Sequence, residues 1–305
     1  MPTPAAPPIA SPARRRRSRL VAVALAGVAV AGGTAAVLPT AASAADPRDL
    51  QRYYGIFDRG PALIPGRDTP WTPQGLAYWP EQNAMVISYY DSTGAQKSRL
   101  AIVDRTTGAR RKLLVMPTKG HVGGLAITGS YLWVANNGRL VRFSKAQLTR
   151  KAELKTLKSN GSYPAQASSY LTATADALWV GRFSKAAAGT SSVYRYPLDA
   201  AQRPSSSPSS TVSTPTRVQG MAFGGGKVVW SRSYGRDSRS RIDVAPTSNP
   251  TQPSRIIIAP NMSEGIVNDG SRFHVVYESA SSTYADASYR VKTIHSAPVA
   301  TLLGP

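Results

Sequence analysis

An internal repeat limits what this chain can fold into more than any other feature of its sequence. The segment Gln-Gly-Leu-Ala-Tyr at residues 74–78 returns as Gln-Gly-Met-Ala-Phe at residues 219–223. Two further runs follow each copy in the same order and at nearly the same spacing: 85–94 and 98–103 after the first, 228–235 and 240–244 after the second. Weaker copies begin near residues 123, 168 and 264, which makes five units in all.

Each unit consists of short runs rich in Val, Ile, Tyr, Phe and Trp, separated by Gly, Asn, Asp and Ser. Such runs are typical of strands and tight turns. A period in the forties with about four strands per unit is typical of a propeller blade. We therefore predict an all-β fold, a five-bladed β-propeller whose blades are antiparallel sheets of about four strands. A β-sandwich is the alternative, but it would not require five similar units.

The repeat also predicts how the domain is organised. Strands crowd near the axis of a propeller, so the Gly-Leu-Ala segments should form the innermost strands, with Gly75, Gly124, Gly220 and Gly265 on them. Residues 53–57 are expected to complete a blade by pairing with the C-terminal region, where 289–294 would be the last strand. The Ser/Pro-rich segment 204–216 is expected to be a flexible insertion. The predicted units lie near 73–118, 122–160, 164–203, 218–258 and 262–296.

The first 44 residues have the three-part order of a secretory signal peptide. Five arginines lie within residues 14–19, an apolar run covers 20–38, and the small residues Ala42 and Ala44 follow. We expect cleavage after Ala44, a secreted domain over residues 45–305, and no stable membrane insertion. An N-terminal membrane anchor is the alternative.

The composition of the chain excludes several classes of function. Without the leader, 37 − 5 = 32 Lys and Arg stand against 16 Asp and Glu, a net charge of +16. The chain contains no Cys, which excludes a disulfide scaffold, a thiol nucleophile and thiolate metal ligands. No nucleophile elbow, zinc helix motif or calcium loop occurs, so we assign neither metal ligands nor a cofactor. Nucleic-acid binding is not expected, because no aromatic and basic recognition module accompanies the charge.

Superposition of the units aligns two polar positions. The position before the inner-strand glycine, here called the channel position, is expected at one mouth of the central channel. The position that follows the second strand is expected at the opposite end of the strands, on a recognition surface. As candidate ligand-binding residues we take Gln74, Gln166, Gln219 and Glu264 at or near the first position, and Tyr89, Asp91, Asn136, Tyr234 and Glu278 at the second. The alternative is that these groups only bond loop backbone and water. His121, close to a channel position, is expected to approach the mouth.

Four segments resemble the first blade of the five-bladed glutaminyl cyclases of plants and bacteria: Thr-Pro-Gln-Gly-Leu at 72–76, Asp-Ser-Thr-Gly at 91–94, Ser-Arg-Leu at 98–100 and Asp-Arg-Thr-Thr-Gly at 104–108. The resemblance implies a channel-mouth Glu that transfers the proton during pyroglutamate formation, and Glu264 is the residue that fits. A looser likeness to lactonase-like propellers concerns architecture.

Two hypotheses about function follow. The first is an exported, monomeric, non-catalytic module that binds an extracellular protein, a glycan or an anionic envelope polymer. The alternative is a propeller enzyme, either a glutaminyl cyclase-like acyl transferase or a metal-dependent hydrolase, that uses Glu264. A catalytic Glu264 should have a raised pKa, whereas a binding acceptor should be hydrogen-bonded and ionised. We expect the second case.

Overall fold

A computed structural model of the protein describes residues 47–304. The predicted leader therefore lies outside the described residues. Within residues 47–304, no helix is both long enough and apolar enough to cross a bilayer.

The described chain forms five antiparallel sheets of four strands each, which confirms the predicted five-bladed propeller. It begins with a 3₁₀ turn, Arg48–Leu50, the short helix α1, Gln51–Tyr54, and strand β1, Asp58–Leu63. Blade one contains β2 Trp71–Trp79, β3 Ala84–Asp91, β4 Arg99–Asp104 and β5 Arg110–Val115. Blade two contains β6 Gly124–Thr128, β7 Tyr131–Asn136, β8 Arg139–Ser144 and, after helix α2 Lys145–Arg150, β9 Ser162–Pro164.

The remaining blades follow the same order from the axis outward. Blade three contains β10 Tyr170–Ala173, β11 Ala177–Gly181, β12 Thr190–Pro197 and β13 Ser210–Pro215. Blade four contains β14 Val218–Gly224, β15 Lys227–Arg232, β16 Ser240–Pro246 and β17 Arg255–Ala259. Blade five contains β18 Ser263–Asn268, β19 Arg272–Tyr277 and β20 Thr293–Pro298, and helix α3, Val299–Leu303, follows it. Shorter 3₁₀ turns lie at Pro80–Gln82, Glu278–Ala280 and Ser282–Tyr284.

The inner strands touch one another in a ring, because glycine lets their backbones approach closely. A Cβ on Gly220 would lie 2.6 Å from the carbonyl oxygen of Glu264 on the next inner strand. A Cβ on Gly265 would lie 2.5 Å from the backbone nitrogen of Leu76 on blade one. The predicted crowding at the axis is therefore the reason for these glycines.

Blade five is completed by the N-terminal strand, since β1 pairs antiparallel with β20. The prediction that residues 53–57 form this strand was wrong, and residues 58–63 form it instead. The rings of Tyr53 and Phe57 stack at 4.5 Å between centroids and are buried in the core beside blades four and five. The last strand is likewise Thr293–Pro298 instead of 289–294, because Arg290 turns aside to donate hydrogen bonds to the carbonyls of residues 279–281.

The Ser/Pro-rich segment 204–216 was predicted to be an insertion between blades, and the structure corrects this. Its second half is β13, the outer strand of blade three, paired over six residues with β12. An outer strand faces solvent on one side, so a Ser- and Thr-rich composition is compatible with pairing there.

Apolar side chains fill the spaces between neighbouring sheets. Trp133 and Trp230 on the second strands of blades two and four are fully buried, whereas Trp179 of blade three is only half-buried. This packing, and not disulfide bonds, holds the blades together.

Candidate functional site

β-Bulges set the direction of the channel-position side chains. The inner strands β2, β14 and β18 each interrupt their pairing with the next strand by a register shift. The shifts span Gln74, Gln219 and Glu264, the three channel positions that carry a polar side chain. A bulge bends its strand and re-aims a side chain. In blade two the pairing is unbroken, and a Cβ at Gly123 would lie 2.2 Å from the carbonyl oxygen of Ser169.

The residues after the second strands lie at the same mouth as the channel positions. We expected them at the opposite end, and this expectation was wrong. In an antiparallel hairpin the start of one strand faces the end of the next. Thr72 thus pairs with Tyr90, and Ser263 pairs with Tyr277, the residue before Glu278. The two polar positions therefore form one site.

This site is a cavity of about 550 Å³. Five predicted residues line it: Gln74, Gln219, Asn136, Tyr234 and Glu278. His121 also lines it, as expected from its place near a channel position. Glu278 is the one Asp or Glu among the described lining residues.

Glu278 lies where blade one meets blade five. It is half-buried, and its Oε1 accepts a hydrogen bond from the side-chain amide of Gln74, which also donates to the carbonyl of Pro73 at 3.1 Å. Burial raises the pKa of Glu278 from 4.5 to about 7, and the hydrogen bond from Gln74 opposes that rise. Because its pKa is near neutrality, this carboxyl exchanges its proton at physiological pH.

Glu264 does not line the cavity but lies beside Glu278 in the interior. It is 2% exposed, and among residues 47–304 its Oε1 has no hydrogen-bond partner. Burial and the nearby charge of Glu278 raise the pKa of Glu264 well above its ordinary value. The expectation of a hydrogen-bonded, ionised Glu264 was therefore wrong, because the inner strand places the carboxyl inside the protein next to a second acid. The charge of one carboxyl therefore disfavours ionisation of the other.

Aromatic side chains form much of the cavity wall. The rings of Tyr90 and His121 lie 4.5 Å apart between centroids, and the hydroxyls of Tyr90 and Tyr284 are 3.3 Å apart. The guanidinium of Arg236 lies 5.3 Å from the centre of the Tyr284 ring, and it is paired with Asp286 at 2.7 Å. The wall next to Glu278 is therefore aromatic and polar.

Opposite this wall, Tyr234 is 45% exposed and lies 6.3 Å from the ring of Phe183. Asn136 is buried, and its Oδ1 accepts a hydrogen bond from the backbone nitrogen of Val122 at 3.4 Å. Asn136 thus both lines the cavity and holds the loop before blade two.

Three candidate residues lie elsewhere. Gln166 is exposed, and its place at the mouth is taken by Ser168 and Ser169 of blade three. Asp91 is a turn acceptor, since its carboxylate binds Thr93 and the backbone nitrogen of Gln96 at 2.8 Å, and these bonds lower its pKa. Tyr89 points away from the mouth because successive side chains of a strand alternate between its two faces.

Sequence reasoning missed Tyr284 and Arg236, and it singled out Tyr89 and Asp91 instead of Tyr90 between them. Tyr284 and Arg236 belong to loops outside the aligned strands, so the repeat gave no signal for them. Strand alternation offered a signal for Tyr90, because only every second residue of β3 faces the same side.

In the described part of the chain, no three His, Asp or Glu side chains are arranged to hold a metal ion. The carboxyl pair and the amides of Gln74 and Gln219 can accept and donate hydrogen bonds and exchange a proton.

Comparison with known proteins gives structural likenesses only. No protein-family model and no curated protein sequence matches the chain. The glutaminyl cyclase of Myxococcus xanthus is 14% identical over 78% of this chain and 96% of its own, with a TM-score of 0.49. A luciferin-regenerating enzyme is 12% identical over 77% of this chain and 94% of its own, with a TM-score of 0.44.

The hydrazine synthase of Kuenenia stuttgartiensis is 11% identical with a TM-score of 0.40, over 71% of this chain, which spans only 59% of that chain's length. A glutaminyl cyclase is thus among the solved structures similar to this protein, as the first-blade resemblance indicated. At these TM-scores none of the likenesses carries an argument about function. The architecture rests on the strand order: the chain is a five-bladed β-propeller with Glu278 at one mouth of its channel and Glu264 buried beside it.

Proposed function

We propose that this protein is an exported, monomeric binding module whose channel-mouth cavity takes a small ligand or chain end bearing a protonated amine. The observation that carries the proposal is Glu278, a half-buried carboxyl that faces the cavity and is held by Gln74. A charged hydrogen bond to a carboxylate in a partly desolvated site is among the stronger polar contacts.

The cavity wall supports a cationic ligand group. Tyr90 and Tyr284 lie in the same cavity as Glu278, and aromatic faces attract an ammonium group. Gln219 and Asn136 supply amide donors and acceptors for a neighbouring carbonyl or amide of the ligand. Arg236 is charge-paired with Asp286, which reduces its repulsion of a cation.

The setting that we propose is extracellular. It rests on the predicted leader and on the net charge of +16 that remains without it. A basic surface attracts anionic envelope polymers at low salt. An extracellular protein with a free N-terminus or an amino-bearing glycan would supply the amine.

Calorimetric titration with glutaminamide, which has a free amine, and with its N-acetyl derivative tests the proposal. At pH 8, where Glu278 is mostly ionised, glutaminamide should bind at least about tenfold more tightly than the acetylated form. Binding should weaken at pH 6. Glu278→Gln should remove the preference, whereas Glu81→Gln, a surface change far from the cavity, should keep it. Equal binding of both compounds by the wild type would overturn the proposal.

A second candidate function is acid–base catalysis of acyl transfer, and a specific observation favours it. Two adjacent carboxyls, Glu264 and Glu278, have raised pKa values, which is the arrangement that lets one accept a proton while the other donates one. In such a reaction the ligand's neutral amine nitrogen bonds to its own side-chain amide carbon and gives a proton to one carboxylate. The bond from that carbon to the amide nitrogen breaks, and this nitrogen takes a proton from a carboxyl and leaves as ammonia.

Mass spectrometry of glutaminamide incubated with the protein separates the two functions. Loss of ammonia that disappears in Glu264→Gln would support catalysis. Binding with an unchanged ligand mass would support the binding module.

A further inference from the structure

A second cavity, of about 610 Å³, lies at the junction of blade one with the segment that follows β1. It shares no lining residue with the channel-mouth cavity among residues 47–304. Its walls come from Leu63 and Arg67 near the chain's entry into the ring, and from Trp71, Arg99 and Arg110 of blade one. Tyr89 belongs to the core cluster of this junction and also lines the cavity. The cavity is therefore a separate candidate site.

The charged side chains that line this cavity are all basic. Three arginines line it, and no Asp or Glu does so among the described residues. The guanidinium of Arg99 stacks on the ring of Trp71 with its carbon 3.8 Å from the ring centre, and it donates to Gln96 at 2.9 Å. Within residues 47–304, Arg67 has no ion-pair partner, whereas Arg110 pairs with Glu153. Guanidinium groups bind carboxylate and phosphate through paired hydrogen bonds.

A buried hydroxyl gives an independent sign of a ligand. Tyr89 is 2% exposed, and in the described chain its hydroxyl has no hydrogen-bond partner. Such a group is normally paired in a folded protein. Tyr89 stands directly opposite Arg99 in the pairing of β3 with β4, so both side chains leave the sheet on one face. Burial raises the pKa of Tyr89 well above its ordinary value, so the hydroxyl remains a donor.

We propose that this cavity binds a small organic anion with an apolar body. Arg67 and Arg99 would hold the anionic group, and the Tyr89 hydroxyl would donate to one of its oxygens. Trp71, Leu63 and Leu113 would contact the apolar body, since their side chains form the apolar part of the lining. The ligand would thus satisfy the Tyr89 hydroxyl, which residues 47–304 leave unpaired.

Titrations with phenylacetate, phenyl phosphate and the neutral phenylacetamide, followed by ligand-observed NMR, test this site. At least one of the two anions should bind about tenfold or more tightly than the amide. Preference for phenylacetate would indicate a carboxylate as the natural group, and preference for phenyl phosphate would indicate a phosphate ester. Equal binding of all three compounds would overturn the proposal.

Three variants connect binding to these residues. Tyr89→Phe should weaken anion binding about threefold to tenfold without lowering the unfolding midpoint, because only an unpaired hydroxyl is lost. Arg67→Gln should weaken binding about tenfold and, since the Arg67 side chain has no ion-pair partner within residues 47–304, leave folding unchanged. Arg150→Gln removes the same charge from the exposed end of α2 and should have no effect. A loss of affinity in Arg150→Gln equal to that in Arg67→Gln, or unchanged affinity in Tyr89→Phe, would refute the site.

Discussion

The side-chain amide of Gln74 on blade one donates a hydrogen bond to the carboxyl of Glu278 on blade five, 204 residues away in sequence. The bond crosses the junction where the first and last blades meet. Glu264, on the inner strand of blade five, lies next to the same carboxyl without a partner for its Oε1 among residues 47–304. Both acids belong to blade five, and ring closure brings the amide of Gln74 from blade one to one of them.

Stability should fall as pH rises from 5 to 8. The folded state keeps a proton on Glu278 up to about pH 7, whereas the unfolded chain releases it near pH 4.5. Folding therefore binds protons in this window, and the free energy of unfolding should decrease by about 1–3 kcal/mol as pH rises through it. Urea unfolding at the two pH values measures the change.

The variant Glu278→Gln should lose much of this decrease, and the double variant with Glu264→Gln should lose more. Glu81→Gln is the matched control, because the pKa of Glu81 is lowered by Lys145 and its titration lies below this pH window. A wild-type stability that rises between pH 5 and 8 would contradict the prediction.

Replacing Gln74 by Leu should raise the pKa of Glu278. The amide stabilises the ionised carboxylate and so lowers the pKa of Glu278. Without the amide, only the effect of burial remains, and burial raises this pKa. Carbon-13 NMR of the Glu carboxyls during a pH titration gives the value directly. Gln219→Leu, at the equivalent position of blade four, should leave it unchanged, since Gln219 makes no hydrogen bond to Glu278 within the described chain.

Gly265→Ala should destabilise the ring by about 2–4 kcal/mol. The added methyl carbon would stand 2.5 Å from the backbone of Leu76 and 2.8 Å from the carbonyl oxygen of Gln74. Gly55→Ala is the control, because its nearest contact would be 3.5 Å and its φ is −75°. Comparison of thermal midpoints tests this, and similar midpoints for the two variants would argue against close approach of the inner strands.

Tyr53→Phe should weaken the closure of blade five by about 1–3 kcal/mol. The Tyr53 hydroxyl is fully buried and bonds to the Tyr277 hydroxyl at 2.5 Å and to Nδ1 of His295 at 2.9 Å. Tyr89→Phe removes an equally buried hydroxyl that has no partner within residues 47–304, so its midpoint should not fall. Equal destabilisation by the two variants would refute the role of this hydrogen-bond cluster.

Secretion should yield a mature N-terminus at or near Ala45, because the leader ends in small residues that suit cleavage. Intact-mass measurement of the protein recovered from the medium of an expressing bacterium checks this. Recovery of extracellular protein that still carries residues 1–44 would count against a cleaved leader.

The repeat in the sequence determined the architecture. Five units of short β-branched and aromatic runs predicted five blades, and Gly75, Gly124, Gly220 and Gly265 marked four of the inner strands, because strand period and close backbone approach are local properties. The sequence also identified Gln74, Gln219, Asn136, Tyr234 and Glu278, which line one cavity. These residues could be recognised because superposition of the repeat units aligns them at two polar positions.

The tertiary structure decided which candidates meet and in what protonation state. Hairpin geometry brought Glu278 to the same mouth as Gln74, and the bulge in β18 turned Glu264 into the interior beside it. Tyr284 and Arg236 come from loops whose paths the repeat does not encode. A pKa depends on burial and on nearby charges, so the raised pKa values of Glu264 and Glu278 arise only when the fold buries both carboxyls side by side in blade five.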